Sequence, residues 1–203
     1  MPRYLNRTIH RIVLSLLKPK ADAFEKAAAD PAVTQHRLLL EFIGRNRDTE
    51  FGRRYGFPSV KNTDDYRNNV PVSDYEFFRP YIDSMVAGEK NILTKDRAVF
   101  FGMTSGTTGL PKLIPNTRYG EHKKLNQLAL WTYYWLKAHP GTSDGKFLAM
   151  VSPEVEGRTA CGVPYGLESG RGYRSLPWFI KGFYAIPYCV FTIKDHNVRY
   201  YDA

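Results

Sequence analysis

The chain has 203 residues, 43% of them hydrophobic and 24% charged, with two cysteines; this is the composition of a folded domain with a sizeable core and excludes a disordered, collagenous or disulfide-framed chain. Lysine and arginine outnumber aspartate and glutamate by 29 to 20, for a formal charge of +9, yet no run of five like charges and no zinc-finger or RNA-recognition signature occurs. These features argue against nucleic acid as a partner and for a solvated basic surface that also suits an anionic ligand.

Cys161 and Cys189 lack a CxxC spacing or a neighbouring histidine, so neither zinc nor a disulfide is expected, and a reducing compartment fits. The N-terminal segment "MPRYLNRTIHRIVLSLLKPKAD" is interrupted by Asn6, Arg7, His10 and Arg11. It has neither a signal-peptide core nor the roughly 20 apolar residues of a membrane span, which makes the cytoplasm the expected location. Its Leu5, Ile9, Ile12, Val13, Leu16 and Leu17 recur at helical spacing, predicting an amphipathic helix that covers a core rather than a membrane and ends at Lys18-Pro19.

A second helix is predicted from Pro31 to Arg45, capped by Asp30, with a stripe of Leu38, Leu39, Phe42 and Ile43. Asp74 or Ser73 is expected to cap a third running through Met85 and closed by "GE" at 88 and 89. The apolar run Ala98 to Met103 reads as a short buried strand. Thr117 is placed to cap a long helix with a stripe of Leu125, Leu128, Thr132, Trp135 and Leu136, ending at "HPG". Strands are expected at "KFLAMVS" and "CVFTI". Between them "PEVEGRTACGVPYGLESGRGYRSLP" is too irregular for a core element; it reads either as a loop lining a site, with Tyr165, Tyr173 and Trp178 as apolar walls, or as a surface loop. The organisation is therefore a mainly helical region over 1–97, a strand and loop over 98–117, and helix, strands and glycine-rich loop over 118–203.

The chemistry is concentrated in "AVFFGMTSGTTGLPKLIPNT", residues 98–117. A strand that delivers Thr104, Ser105, Gly106, Thr107, Thr108 and Gly109 into a turn presents consecutive backbone amides, and the glycines let them converge on an anion. Four hydroxyls add donors, and Lys112 supplies a point charge that reaches a phosphate chain. The spacing is not that of the Walker loop, because Lys112 is followed by Leu113 and only two residues separate Gly106 from Gly109. No GxGxxG is present either. Without further information the alternatives are an anion cradle and a hydroxyl-rich hairpin turn. The histidines at 10, 36, 122, 139 and 196 are scattered, without a paired carboxylate or metal spacing, so no general base is assigned. Phe100, Phe101 and Met103 read as core.

"TSGTTGLPK" at 104 to 112 resembles the phosphate-loop signature of the adenylate-forming superfamily. The flanking "LLLEFIGRNRDTEFGRRYGF", "YRNNVPVSDYEFFRPYIDSMVAGEKNILTKDRAVFFGMTSGTTGLPKLIP" and "IPYCVFTIKDHNVRYYDA" resemble the Gretchen Hagen family of auxin-responsive acyl acid amido synthetases in its bacterial form. The resemblance implies an α/β fold, the N-terminal part of an adenylate-forming large domain with helices packed on a mixed β-sheet. It implies ATP and magnesium, a carboxylic acid activated as its acyl-adenylate, and transfer to an amine, typically an amino acid. Thr104, Ser105, Gly106, Thr107, Thr108 and Gly109 would hold the phosphates, with Lys112 as a further partner and no residue in a proton-transfer role.

Members of that family are much longer, so the chain is expected to be an N-terminal portion with half a nucleotide site, inactive alone. A nucleotide- or phosphate-binding module without catalysis, and an adenylating ligase of the acyl-CoA type, remain as alternatives.

Overall fold

The computed structural model describes residues 3–104, 111–193, 195, 197 and 198. Among the described residues, every element before the first strand is a helix. Helix α1 (Arg3–Ala28) does not stop at Lys18-Pro19 but runs through Pro19 for 26 residues. The proline removes one helical amide, and packing beyond it offsets the loss: Ala21 is buried, Lys20 Nζ donates to Asn126 Oδ1 at 2.6 Å, and the Tyr134 hydroxyl donates to Glu25 at 3.0 Å. The core-facing residues of the predicted stripe are Ile9, Val13 and Leu17, while Ile12 and Leu16 face solvent.

Helix α2 (Pro31–Asn46) begins as its sequence dictates, with the Asp30 side chain accepting from the Val33 amide at 3.2 Å. Ile43 is buried, whereas Leu38 and Phe42 are exposed. Helices α3 (Glu50–Arg54) and α4 (Thr63–Asn69) follow, separated by a 3-10 turn at Phe57–Ser59. Helix α5 (Tyr75–Ala87) is capped by Asp74 and closed by Gly88, whose φ of 102° is the left-handed conformation that favours glycine. Phe51, Phe57, Tyr81, Ile82, Met85 and Ile92 of this region form one core with Ile43 and Phe101.

The sheet has four strands among the described residues. Strand β1 (Ala98–Met103) pairs antiparallel with β2 (Leu113–Thr117) and parallel with β4 (Pro164–Gly166), which in turn pairs antiparallel with β3 (Gly157–Arg158). Adjacent residues of a strand point to opposite faces, and Phe100 and Phe101 are both 0% exposed. Both faces of β1 are therefore covered, which explains its unbroken apolar run.

Helix α6 (Arg118–Ala138) starts at Thr117, whose hydroxyl accepts from the Gly120 amide at 3.1 Å. Its expected stripe divides: Leu136 is buried with Tyr133, but Leu125 and Leu128 remain exposed.

The C-terminal part departs most from expectation. "KFLAMVS" is not a strand; it makes one isolated bridge, Phe147 to Tyr184, and leaves Leu148 and Met150 exposed. The irregular stretch instead holds β3, β4 and helix α7 (Glu168–Ser175), and β4 sits beside β1 at the centre of the sheet. After α8 (Trp178–Lys181), the expected strand "CVFTI" begins within a helix, α9 (Tyr188–Phe191). Pro187 precedes its first turn, and Tyr188 stacks on Tyr173 while Phe191 is fully buried. Residues three apart thus share one face, as a helix and not a strand places them.

Candidate functional site

The hydroxyl-rich loop is the connection of the β1–β2 hairpin, and its two ends are tied together. The Thr104 amide donates to the Lys112 carbonyl at 3.0 Å, and the Lys112 amide donates to Thr104 Oγ1 at 3.1 Å. Of the sequence-derived site residues, Thr104 and Lys112 are thereby brought together. Ser105, Gly106, Thr107, Thr108 and Gly109 lie outside the described residues.

Helix α5 supports the loop exit. The Tyr75 hydroxyl accepts from the Leu113 amide at 3.0 Å and donates to the Leu113 carbonyl at 3.2 Å. The Lys112 ammonium lies 5.2 Å from the centre of the Tyr75 ring. One turn on, Arg79 pairs with Glu76 through Nη2 and Oε1 at 2.7 Å. This guanidinium, with a smaller contribution from the Lys112 charge, holds the Glu76 carboxyl below the ordinary glutamate range.

On the other face of β1 an open cleft of about 490 Å³ lies between α6 and α7. Leu125 and Leu128 form its apolar wall, and Lys124, Arg171 and Arg174 line it with Glu121, Glu154 and Glu168. Lys124 Nζ donates to Asn116 Oδ1 at 2.7 Å and to Glu168 Oε2 at 3.0 Å, and the Asn116 amide donates to Glu168 Oε1. Arg171 bridges Glu121, at 2.7 Å from Nε, and Glu154, at 3.2 Å, while its guanidinium lies 4.4 Å above the Phe100 ring. Three cations and three carboxylates, paired with one another, thus line a cleft with an apolar wall, a concave mixed surface of the kind that suits a small molecule with an apolar body and a polar end. The cleft adjoins strand β1 near its C-terminal end. A Cβ on Gly102 would meet Glu168 Oε1 at 2.6 Å, and Gly102 stands two residues before Thr104.

The irregular stretch does line this cleft, but through α7 and Glu154 and not through its aromatic residues. Tyr165 packs on the main core, Tyr173 is buried with Tyr184, Tyr188 and Phe191, and Trp178 is exposed. Sequence reasoning missed Tyr75, Asn116, Lys124, Glu168 and Arg171. A signal for the last three was present: Glu121 and Lys124, like Glu168, Arg171 and Arg174, recur every three residues, the spacing that puts charges on one helix face.

Among the described residues no group of three or more His, Cys, Asp or Glu side chains is placed to hold a metal ion. The ammonium and hydroxyl at the loop base fit phosphate oxygens. Magnesium keeps waters and binds through phosphates with few protein carboxylates, so it would be carried here by the phosphate chain. No described helix is long and apolar enough to cross a membrane. Cys161 is exposed and its thiol is held below the ordinary range by the Thr159 hydroxyl, 3.2 Å away.

A family model described as the GH3 family N-terminal domain matches residues 20–203. The indole-3-acetic acid-amido synthetase GH3.15 of Arabidopsis thaliana is 34% identical over 131 residues, which are 64% of this chain and 22% of that protein. The probable indole-3-acetic acid-amido synthetase GH3.2 of Oryza sativa subsp. japonica is 27% identical over 186 residues, 91% of this chain and 30% of that one. A solved GH3.15 acyl acid amido synthetase superposes with a TM-score of 0.64 at 26% identity, covering 80% of this chain and 28% of its own; a second structure, in complex with 2,4-DB, gives 0.62. The chain spans less than a third of the length of these relatives.

Proposed function

Because this chain belongs to the GH3 family, as its N-terminal domain over residues 20–203, we propose that it supplies the phosphate loop of a ligase that activates a carboxylic acid with ATP and passes the acyl group to an amine such as an amino acid. The observation that carries this reading is the loop base. Thr104 and Lys112 are bonded to each other twice, which fixes both ends of a segment rich in amides and hydroxyls and sets a cation at its exit.

The roles follow from where charge develops. When the carboxylate attacks the α-phosphate, the bond to the departing pyrophosphate breaks and negative charge grows on the leaving group. Thr104, Ser105, Gly106, Thr107, Thr108 and Gly109 would meet that charge with hydroxyl and amide donors, and Lys112 with its ammonium; donors already in place stabilise the transition state without reorganising. Magnesium, carried by the nucleotide's phosphates, would supply further neutralisation of the same charge. The amine then attacks the activated carbonyl, AMP leaves with the bonding electrons, and the proton shed by the amine nitrogen passes to solvent, no residue of this chain being given that role.

In this reading the acid sits in the cleft between α6 and α7, with Leu125 and Leu128 against its apolar body and its carboxylate toward the end of β1, since Lys124, Arg171 and Arg174 are already paired with Glu168, Glu121 and Glu154. The contact between Gly102 and Glu168 supports this, since it sets the cleft beside β1 where the chain enters the loop. A relative is solved in complex with 2,4-DB.

The test is acid-dependent ATP–pyrophosphate exchange by the product of the native gene, run with aromatic and aliphatic acids. Exchange that requires both an acid and an intact loop supports the reading. Absence of exchange with every acid, in protein that binds ATP, overturns it in favour of a nucleotide-binding module.

A further inference from the structure

We infer that Tyr75 is a positioning residue for the phosphate loop, fixing the main chain at its exit with the hydroxyl and holding the Lys112 ammonium with the ring. The inference rests on the reading that the loop binds polyphosphate.

Strand β2 lies at the edge of the sheet. Lys112 turns its amide and carbonyl toward Thr104, and alternation along a strand then turns those of Leu113 outward, to the open edge, although Leu113 is the partner of Met103. There the Tyr75 hydroxyl takes both: it accepts from the amide at 3.0 Å and donates to the carbonyl at 3.2 Å. A single phenol can do so because it carries one donor and acceptor lone pairs. It stands in for a neighbouring strand at the residue next to Lys112. Its own place is firm, as the first residue of α5 beside the Asp74 cap.

The ring has a second use. Arg79 is 5.0 Å from its centre and is already paired with Glu76. Lys112 is 5.2 Å from the same centre, and a ring face attracts a cation without neutralising it. Tyr75 therefore restrains the ammonium without itself neutralising it, and the carboxylate that feels the Lys112 charge, Glu76, is already paired with Arg79.

The experiment uses the full 203-residue chain with tripolyphosphate as probe. Its affinity is measured by calorimetry for wild type, Tyr75→Phe, Tyr75→Leu, Lys112→Met and the two double variants, with amide exchange at Leu113 followed in parallel. Tyr75→Phe, which keeps the ring, is expected to speed exchange at Leu113 and weaken tripolyphosphate roughly three- to tenfold. Tyr75→Leu is expected to lose a further two- to fivefold or so. In the Lys112→Met background the two Tyr75 variants should bind alike, a result that a merely structural role would not give. Wild-type binding with unchanged affinity and Leu113 exchange in Tyr75→Phe overturns this inference alone. So does a difference between the two Tyr75 variants that survives in Lys112→Met. A wild-type chain that takes up no tripolyphosphate overturns the phosphate reading and this inference with it.

Discussion

The amide of Thr104 donates to the carbonyl of Lys112 across 3.0 Å, and the amide of Lys112 returns a bond to the Thr104 hydroxyl at 3.1 Å. The backbone half of this clasp is available to any residue, but the return bond needs a β-hydroxyl. Thr104→Val keeps the shape and removes that acceptor, so it should destabilise the chain by about 1 kcal/mol, whereas Thr104→Ser should stay close to wild type. Thermal unfolding decides, and equal midpoints for valine and threonine would show that the hydroxyl contributes nothing.

Gly102 ties the loop strand to the cleft. A methyl there meets the Glu168 carboxylate at 2.6 Å, and that carboxylate is held by Asn116 and Lys124. Gly102→Ala should therefore lower stability by about 1–3 kcal/mol and loosen the packing of α7 on β1. Gly44→Ala is the control: its methyl meets nothing within 4 Å in the last turn of α2, and it should stabilise slightly, by less than about 1 kcal/mol. Urea titration of both variants checks the contrast, and a Gly102→Ala variant as stable as Gly44→Ala would contradict the geometry.

The Glu76 carboxyl is depressed by Arg79 and, more weakly, by Lys112. A carboxyl depressed in the folded state contributes stability that is present above its unfolded pKa, near about 4.3, and is lost as pH falls through the lower folded value. Glu76→Gln should thus be less stable than wild type at pH 6 to 7. The two melting curves should converge as the pH is taken from 5 to 3. A gap that persists at pH 3 would remove ionisation from the explanation.

Much of the first half was legible because its signals are local. Asp30 with Pro31, Asp74 with Gly88, and Thr117 each fix a helix end through one side chain or one backbone angle, and such signals survive any tertiary context. Pro19 misled because the contacts that carry α1 past it, from Lys20 and Glu25, are made with α6 more than 100 residues away. The same holds for the cleft and for β4. Two residues of the parallel ladder, Tyr165 and Gly166, join β1 across more than 60 positions, and no short-range pattern announces a strand that brief. The loop was conspicuous by composition; its support by Tyr75, 38 residues upstream of Leu113, was not.

Helix α1 lies on protein. Ala21 is 1% exposed, and the Phe24 ring meets Tyr134 edge-on at 6.4 Å. Ala21→Leu should overpack this contact and cost about 1–3 kcal/mol. In flotation with anionic vesicles at physiological salt the wild-type chain should stay in the dense fraction; a chain that rises with the lipid would reassign the exposed Ile12 and Leu16 to a membrane.

The most direct measurement of the central claim is calorimetric titration of tripolyphosphate into the 203-residue chain, wild type beside Ser105→Ala/Thr107→Ala. A hydrogen bond to a charged group contributes about 1.5–3 kcal/mol, so each lost hydroxyl contact should weaken binding roughly tenfold or more. The account predicts saturable binding by wild type and affinity reduced at least tenfold in the double variant, with its melting temperature retained. No saturable binding by wild type, or equal affinity in the two proteins, would contradict it.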